Sequence, residues 1–414
     1  MRVELMKAVD RWAGGLGCIV LDLFDRPRRL FFPRSAIPAS VRTILVTKYL
    51  GMGSIVLATP MVKALRRRFP GSRVVFLTFR ENREIAELLG VFDEVLTVNS
   101  RRLVPMGVDT FRVLGRLWKL GVDVVCDLEF FTRYSTMVAY LSGAPIRVGY
   151  WSRIAWRGNI LTHPVYYNGM RHITRVFLAQ AEVLGASVAE EISANDLPRL
   201  APDPEASRAL AERMRAAGLD PDSPYVMINP NASPLCLERR WMADRFASVT
   251  DCLLRENEDL QAVFIGSAIE RSYTAEVLAR CRDRERTANL AGELSIRSLL
   301  EGLSAAKLFL TVDSGPLHLA ALTDTPTVAL FGPETPSLYG SLASRLRTFY
   351  ASVYCSPCLN VYNTKTAPCN GKNICMEAIA TSEVLAAARE LLQESAGPRR
   401  FRRDEPEQVS SLSG

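Results

Sequence analysis

Histidine is scarce in this chain: 414 residues include only three, His163, His172 and His318. No two stand at the spacing of a metal-ligand pair, which excludes a histidine-built metal centre of that kind. A G-x-S-x-G elbow is missing, so nothing supports a serine hydrolase of that type. No apolar run reaches bilayer-spanning length, and the nearest, "GGLGCIVLDLF" (14–24), is broken by Asp22. No small-residue cleavage pattern follows it, so it does not read as a secretory signal. The expected compartment is the cytoplasm, where the nine cysteines are thiols or metal ligands rather than disulfides.

The chain is otherwise apolar and mildly basic. A hydrophobic content of 48% can fill large cores, and a net charge of +7 favours an anionic partner. A phosphorylated substrate or an acidic membrane surface fits. Nucleic acid is not expected, because the positive charge collects at the ends and no aromatic–basic platform is evident.

Length predicts two or three domains. From residue 42, apolar strands alternate with amphipathic helices: "TILVTKY" (43–49), a helix over 54–69, "RVVFLTF" (73–79), "EVLTV" (94–98), a helix over 110–120 and "VDVVCDLE" (122–129). Continuous apolar strands between such helices predict a parallel sheet covered on both faces. The pattern restarts with "YVMINP" (225–230), "LQAVFIGS" (260–267), "LFLTVDSG" (308–315) and "TVALFG" (327–332), and ends in a helix over 382–393. The expected architecture is α/β: two doubly wound, Rossmann-like domains, 42–196 and 225–396, facing a cleft and joined by a Pro-, Asp- and Ala-rich linker over 197–224. Ligands in such sheets sit beyond the carboxyl ends of the strands. The charged, Ser-rich tail, 397–414, is expected to be disordered.

The first segment, 1–41, carries Leu5, Val9, Trp12, Leu16, Ile19 and Leu23 on one helical stripe, followed by "RPRRLFFPR". An interfacial helix on an anionic membrane and a helix packed on the protein body both remain open.

Four motifs carry candidate chemistry. In "VDSGPLHLA" a strand ends at Asp313, then Ser314, Gly315 and Pro316 start a helix whose first amides suit a phosphate, with His318 in its first turn. In "GMGS" (51–54) Gly51 and Gly53 keep side chains away from a ligand; the third glycine of a dinucleotide fingerprint and the lysine of a P-loop are both missing. Arg239 and Arg240 precede a helix and could clamp a diphosphate. Cys355, Cys358, Cys369 and Cys375 lie within 21 residues, 355–375, and leave a structural zinc and unliganded thiols both open.

Together, "ILVTKYLGMGSIVLATPMVKALRRRFPGSRVVFLT", "NASPLCLERRW" and "DSGPLHLAALTDTPTVALFGPETP" resemble glycosyltransferase family 9, the ADP-heptose:lipopolysaccharide heptosyltransferases, and the resemblance runs from about 42 to 393. It implies a GT-B architecture, with the acceptor on the first domain and a nucleotide-sugar on the second. It also implies inverting transfer that needs no metal, and a lipid-linked surface-glycan or lipopolysaccharide precursor as acceptor, reached from the inner face of the plasma membrane. Asp313, Ser314, Gly315 and Pro316 match the phosphate loop. Arg239 falls where the family has a lysine, and Gly266 and Ser267 match the strand end near the nucleoside.

Ser54 departs from that pattern, since it stands where the resemblance implies an aspartate acting as general base. A serine cannot take the acceptor proton without a base of its own. The candidate replacement is Glu129, which Phe130 and Phe131 would desolvate, with Asp127 as second choice. Two rivals remain: a nucleotide-sugar-binding protein of the same fold with impaired catalysis, and a nicotinamide-dependent oxidoreductase, which the missing glycine disfavours.

Overall fold

The computed structural model describes residues 6, 8–31, 36–233, 236–363, 366–369 and 371–394. The predicted tail, 397–414, lies outside them, as does Leu5 of the N-terminal stripe.

The first lobe is a six-stranded parallel sheet formed by β1 (Thr43–Thr47), β2 (Arg73–Phe79), β3 (Glu94–Val98), β4 (Val124–Asp127), β5 (Ile146–Trp151) and β6 (His163–Tyr166), in the order β3-β2-β1-β4-β5-β6. Its central strands are buried along their whole length, as their unbroken apolar runs require. The helices are α1 (Gly15–Phe31), α2 (Met52–Arg68), α3 (Arg83–Leu88), α4 (Leu103–Leu120), α5 (Arg133–Leu141) and α6 (Ile173–Val183). α2 and α6 pack together on one side of the sheet, while the apolar cluster containing Leu45, Val75, Val113 and Val138 seats α4 and α5 on the other.

The second lobe repeats the plan. β7 (Tyr225–Asn229), β8 (Gln261–Phe264), β9 (Thr287–Asn289), β10 (Leu308–Val312), β11 (Thr327–Phe331) and β12 (Leu346–Tyr350) pair in parallel in the order β12-β11-β10-β7-β8-β9. Its helices are α7 (Pro204–Ala216), α8 (Ala243–Glu256), α9 (Arg271–Leu278), α10 (Ile296–Ala305), α11 (Gly315–Ala320), α12 (Pro336–Tyr339), α13 (Ile374–Glu377) and α14 (Thr381–Glu394).

Three features depart from the sequence reading. The 197–224 stretch is not a plain linker: Asp203 caps α7 through bonds from the Glu205 and Ala206 amides, and α7 packs on α10 of the second lobe. The outer strands β5, β6, β9 and β12, of which β6, β9 and β12 are edges, carry Arg, His, Pro and Asn among their apolar residues, which hid their period. α1 is docked on the first lobe, yet with its apolar residues outward.

The strand order reverses between β1 and β4 and again between β7 and β10. These reversals are the points at which doubly wound sheets bind ligands, and both face the seam where the lobes meet. One apolar cluster crosses that seam, holding Ile55 and Met61 of α2 together with Leu317 of α11 and Phe331 of β11.

Candidate active site

At the first-lobe edge, β1 ends at Thr47 and the chain must turn into α2. Gly51 makes that turn at φ 87°, in the left-handed region that favours glycine. The backbone before it is held by Glu129. Its Oε1 accepts from Lys48 Nζ at 2.9 Å, from the Tyr49 amide at 2.6 Å and from the Leu50 amide at 2.9 Å. Both Glu129 and Lys48 are buried. Glu129 is thus a clamp on the glycine turn, its carboxylate held by a lysine and two amides. Phe130 does flank it, but the Lys48 ammonium also lies over that ring, at 5.7 Å from the centroid.

Asp127 is enclosed by donors. It is fully buried and accepts from Thr47 Oγ1 (3.0 Å), the Glu129 amide (3.1 Å), Ser135 Oγ (2.9 Å) and Arg157 (3.1 Å). Burial pushes its carboxyl above the usual range, opposed by the Arg157 guanidinium. Its role is to tie β1, β4 and the start of α5 together. Ser54, half-buried in the first turn of α2, makes no side-chain hydrogen bond among the described residues.

At the second-lobe edge, Asn229 ends β7 and donates to Thr311 Oγ1 (3.2 Å) and Ser314 Oγ (2.9 Å), which fixes the β10–α11 turn. Ser314, Gly315 and Pro316 are half-exposed on the seam, and a methyl at Gly315 would lie 2.8 Å from Met52 Cε of the first lobe. Arg239 pairs with Asp313, Nε to Oδ2, at 3.3 Å. Burial works against the Arg239 charge, but Asp313 and then Glu334 outweigh it and hold the guanidinium above its ordinary value. Five polar atoms gathered along this edge are buried without a hydrogen bond among the described residues: Asn231 Oδ1, Arg239 Nε, Arg240 Nε, Asp313 Oδ2 and His318 Nδ1. Such atoms are rare in folded proteins, and a bound ion or ligand is one reason for them.

Other predicted site residues have different placements. The Arg240 guanidinium stacks 3.7 Å from the Tyr273 ring centroid. Gly266 passes so close beneath Asn231 that a side chain would collide with its amide, and Ser267 is spent in a capping box with Glu270 (2.8 and 2.7 Å). His318 does not face outward from the first turn of α11. It is buried against Gly53 of the first lobe, and burial pushes its imidazole down to about 4. A methyl at Gly53 would overlap that ring, so the glycine is required by close approach of the lobes.

The sequence reading missed three groups. Glu334, fully buried after β11, acts on Arg239. Asn229 holds the turn. His172 joins the lobes: its Nδ1 accepts from the Thr174 amide, so Nε2 donates to Gly340 O across the seam at 2.9 Å. "GPETP" following an apolar strand was the available signal for Glu334.

The cysteine segment lies beside the Arg239 loop, with Cys236, Cys358 and Cys369 in one small apolar cluster. Burial raises the Cys358 thiol, helped by Cys369 and Cys355, and lifts Cys375 to about 11. All four thiols are free, and among the described residues no three His, Cys, Asp or Glu side chains form a group able to hold a metal. Of the two readings the spacing left open, this geometry lends no support to a structural zinc.

Two Rossmann-ordered sheets that meet at their carboxyl edges define the GT-B class of glycosyltransferase. Residues 117–367 match the model of glycosyltransferase family 9 (heptosyltransferase), and the chain belongs to that family. It is similar to lipopolysaccharide heptosyltransferase 3 of Escherichia coli K12, 24% identical over 83% of this chain and 96% of that one. It is also similar to lipopolysaccharide heptosyltransferase 2 of Salmonella typhimurium, 34% identical over 26% of this chain and 31% of that one, so this second match spans under a third of the relative. The solved structure of E. coli ADP-heptose lps heptosyltransferase II shares the fold, with a TM-score of 0.67, 18% identity, and coverage of 86% of this chain and all of that one.

Proposed function

We propose that this glycosyltransferase moves heptose or a related sugar from a nucleotide-diphosphate carrier to a lipid-borne lipopolysaccharide or other surface-glycan precursor at the cytoplasmic face of the membrane, with inversion and without a catalytic metal. The observation that carries the reading is the Arg239–Asp313 ion pair at the second-lobe edge, with buried polar atoms around it that make no hydrogen bond among the described residues. A sugar diphosphate brings oxygens for Arg239 and hydroxyls for Asp313. Fixed positive charge from Arg239 then stabilises the leaving diphosphate as the glycosidic bond breaks. The names of the relatives support heptose and lipopolysaccharide as first candidates.

The test is a thermal-shift and calorimetric screen with ADP-, GDP-, UDP- and CMP-linked sugars. One of them should raise the melting temperature, and Arg239→Met should weaken it by about 10- to 100-fold, the worth of one charged hydrogen bond. No shift with any of the four, or an unchanged affinity in Arg239→Met, refutes the reading. Mass spectrometry of lipid-linked glycans from a deletion strain then names the acceptor.

One observation favours a second reading. Glu129 and Asp127 are both held by structural hydrogen bonds and Ser54 makes no side-chain hydrogen bond among the described residues, which suits a nucleotide-sugar-binding protein with impaired catalysis. Tight donor binding with neither transfer nor hydrolysis would establish that alternative.

A further inference from the structure

A helix docked on a soluble lobe normally turns its apolar stripe inward; α1 does the opposite. Its buried residues are Cys18, Asp22 and Asp25. Asp22 accepts from Arg29 at 2.7 Å and from the Asn159 amide at 2.9 Å, and Asp25 lies 3.5 Å from the buried Arg147. Gly14 and Gly17 press against Arg133 and Met137 of α5, where a methyl would meet them at 2.9 and 2.7 Å. The acids and glycines therefore fix the helix, leaving Leu16, Leu23, Phe24 and Phe31 in solvent, with Phe24 74% exposed.

The same side of the lobe continues the pattern. α1 and α4 both pack on α5. α4 exposes Val104, Val108, Phe111 and Trp118, which recur at helical spacing along one stripe. Ile154 and Trp156, in the loop that leads to Asn159, are exposed as well.

Charge on this face has one sign. The acids of α1, the turn before it, α4 and α5 are Asp10, Asp22, Asp25 and Asp109, and none is exposed. Asp10 accepts from the Arg133 and Tyr134 amides, and Asp109 from Arg80 and the Asn99 amide. The exposed charges among these elements and the 151–159 loop are basic, with Arg11, Arg26, Arg112, Lys119 and Arg153 among them. No helix among the described residues is long and apolar enough to cross a membrane. Apolar side chains in solvent, interspersed with arginine and lysine and with every acid withdrawn, are the make-up of a surface that lies in an anionic lipid interface.

We propose that α1, α4 and the 153–156 loop form one docking face for an anionic bilayer, on which the first lobe lies without spanning it. The face begins beside the acceptor edge, because Asp10 holds the start of α5 only two residues beyond Phe131. A lipid-borne acceptor would thus reach the seam sideways from the bilayer. The purpose of the face rests on the proposed acceptor; its existence does not.

The experiment is co-sedimentation of the full chain with vesicles of phosphatidylethanolamine and phosphatidylglycerol, 3:1, against pure phosphatidylcholine, beside light scattering of the chain alone. The expected result is binding to the anionic vesicles only, weakened by salt. Phe24→Asp and Phe111→Asp should each lower the partition coefficient about tenfold, the order expected for one buried aromatic side chain. Both should keep the wild-type melting temperature and nucleotide-sugar affinity, which separates failure here from failure of the transferase reading. Equal binding to both vesicle types, no binding to either, or an oligomer that Phe24→Asp dissolves into monomers would overturn the proposal, the last by showing that a second copy covers the face.

Discussion

Glu129→Gln separates a clamp from a base. In the wild type one carboxylate oxygen serves a buried ammonium and two backbone amides. Glutamine keeps a carbonyl for the amides but leaves Lys48 buried without a counter-charge. Removing one partner of a buried ion pair costs about 3–5 kcal/mol, and the surviving amide bonds place this case near 3 kcal/mol. For a cooperative unit of about 150–250 residues, each kcal/mol lowers the melting temperature by about 2–4 °C, so calorimetry should record a fall of about 6–12 °C. Lys48→Met/Glu129→Gln should recover most of that loss, because the stranded charge is gone. Turnover should fall with the loss of order in the glycine turn, and more steeply than donor affinity. If Glu129→Gln melts within about 1 °C of wild type yet abolishes turnover, the carboxylate is the proton acceptor and the clamp argument is wrong.

Two further predictions concern the seam. Gly53→Ala sets a methyl into the His318 ring; overpacking of this kind costs about 1–3 kcal/mol. A melting scan and X-ray scattering should show lower stability and a wider molecule, and an unchanged profile in both would contradict the close approach. His318 supplies a pH dependence. Buried near Asp313, His172 and Arg239, it is held to about 4 against an ordinary 6.5. The unfolded chain binds this proton first as pH falls, so stability is complete above about 6.5 and is lost by about 3 kcal/mol as pH drops to about 4. His318→Gln should flatten denaturant-derived stability in that window, and a slope equal to wild type would remove His318 as its cause.

The central strands were legible because a parallel sheet buried on both faces needs unbroken apolar runs, and "TILVT" and "LFLTV" are such runs. Asp313 and Arg239 were legible as a strand-end acid and a loop cation, and the structure pairs them. Glu129 was legible in position, but the donors that hold it were not. What decides a carboxylate's role is which donors surround it, and Lys48 and the Tyr49 amide are 80 or more residues away in the chain. The same limit hid His172 and the inward turn of His318, whose partners belong to the other lobe. On α1, periodicity identified an apolar stripe but could not tell which side faced the protein. Asp22, read as an interruption, is an anchor together with Asp25.

The apolar packing that runs from α2 into α11 without a break has a mechanical consequence. Walls lined by water would part cheaply, but gaping here would expose Ile55 and Leu317, at about 1.5–3 kcal/mol for each large aliphatic side chain. Admission of substrates is therefore better served by shear, with the two helices sliding along one another while their greasy flanks stay covered, than by jaws that swing apart.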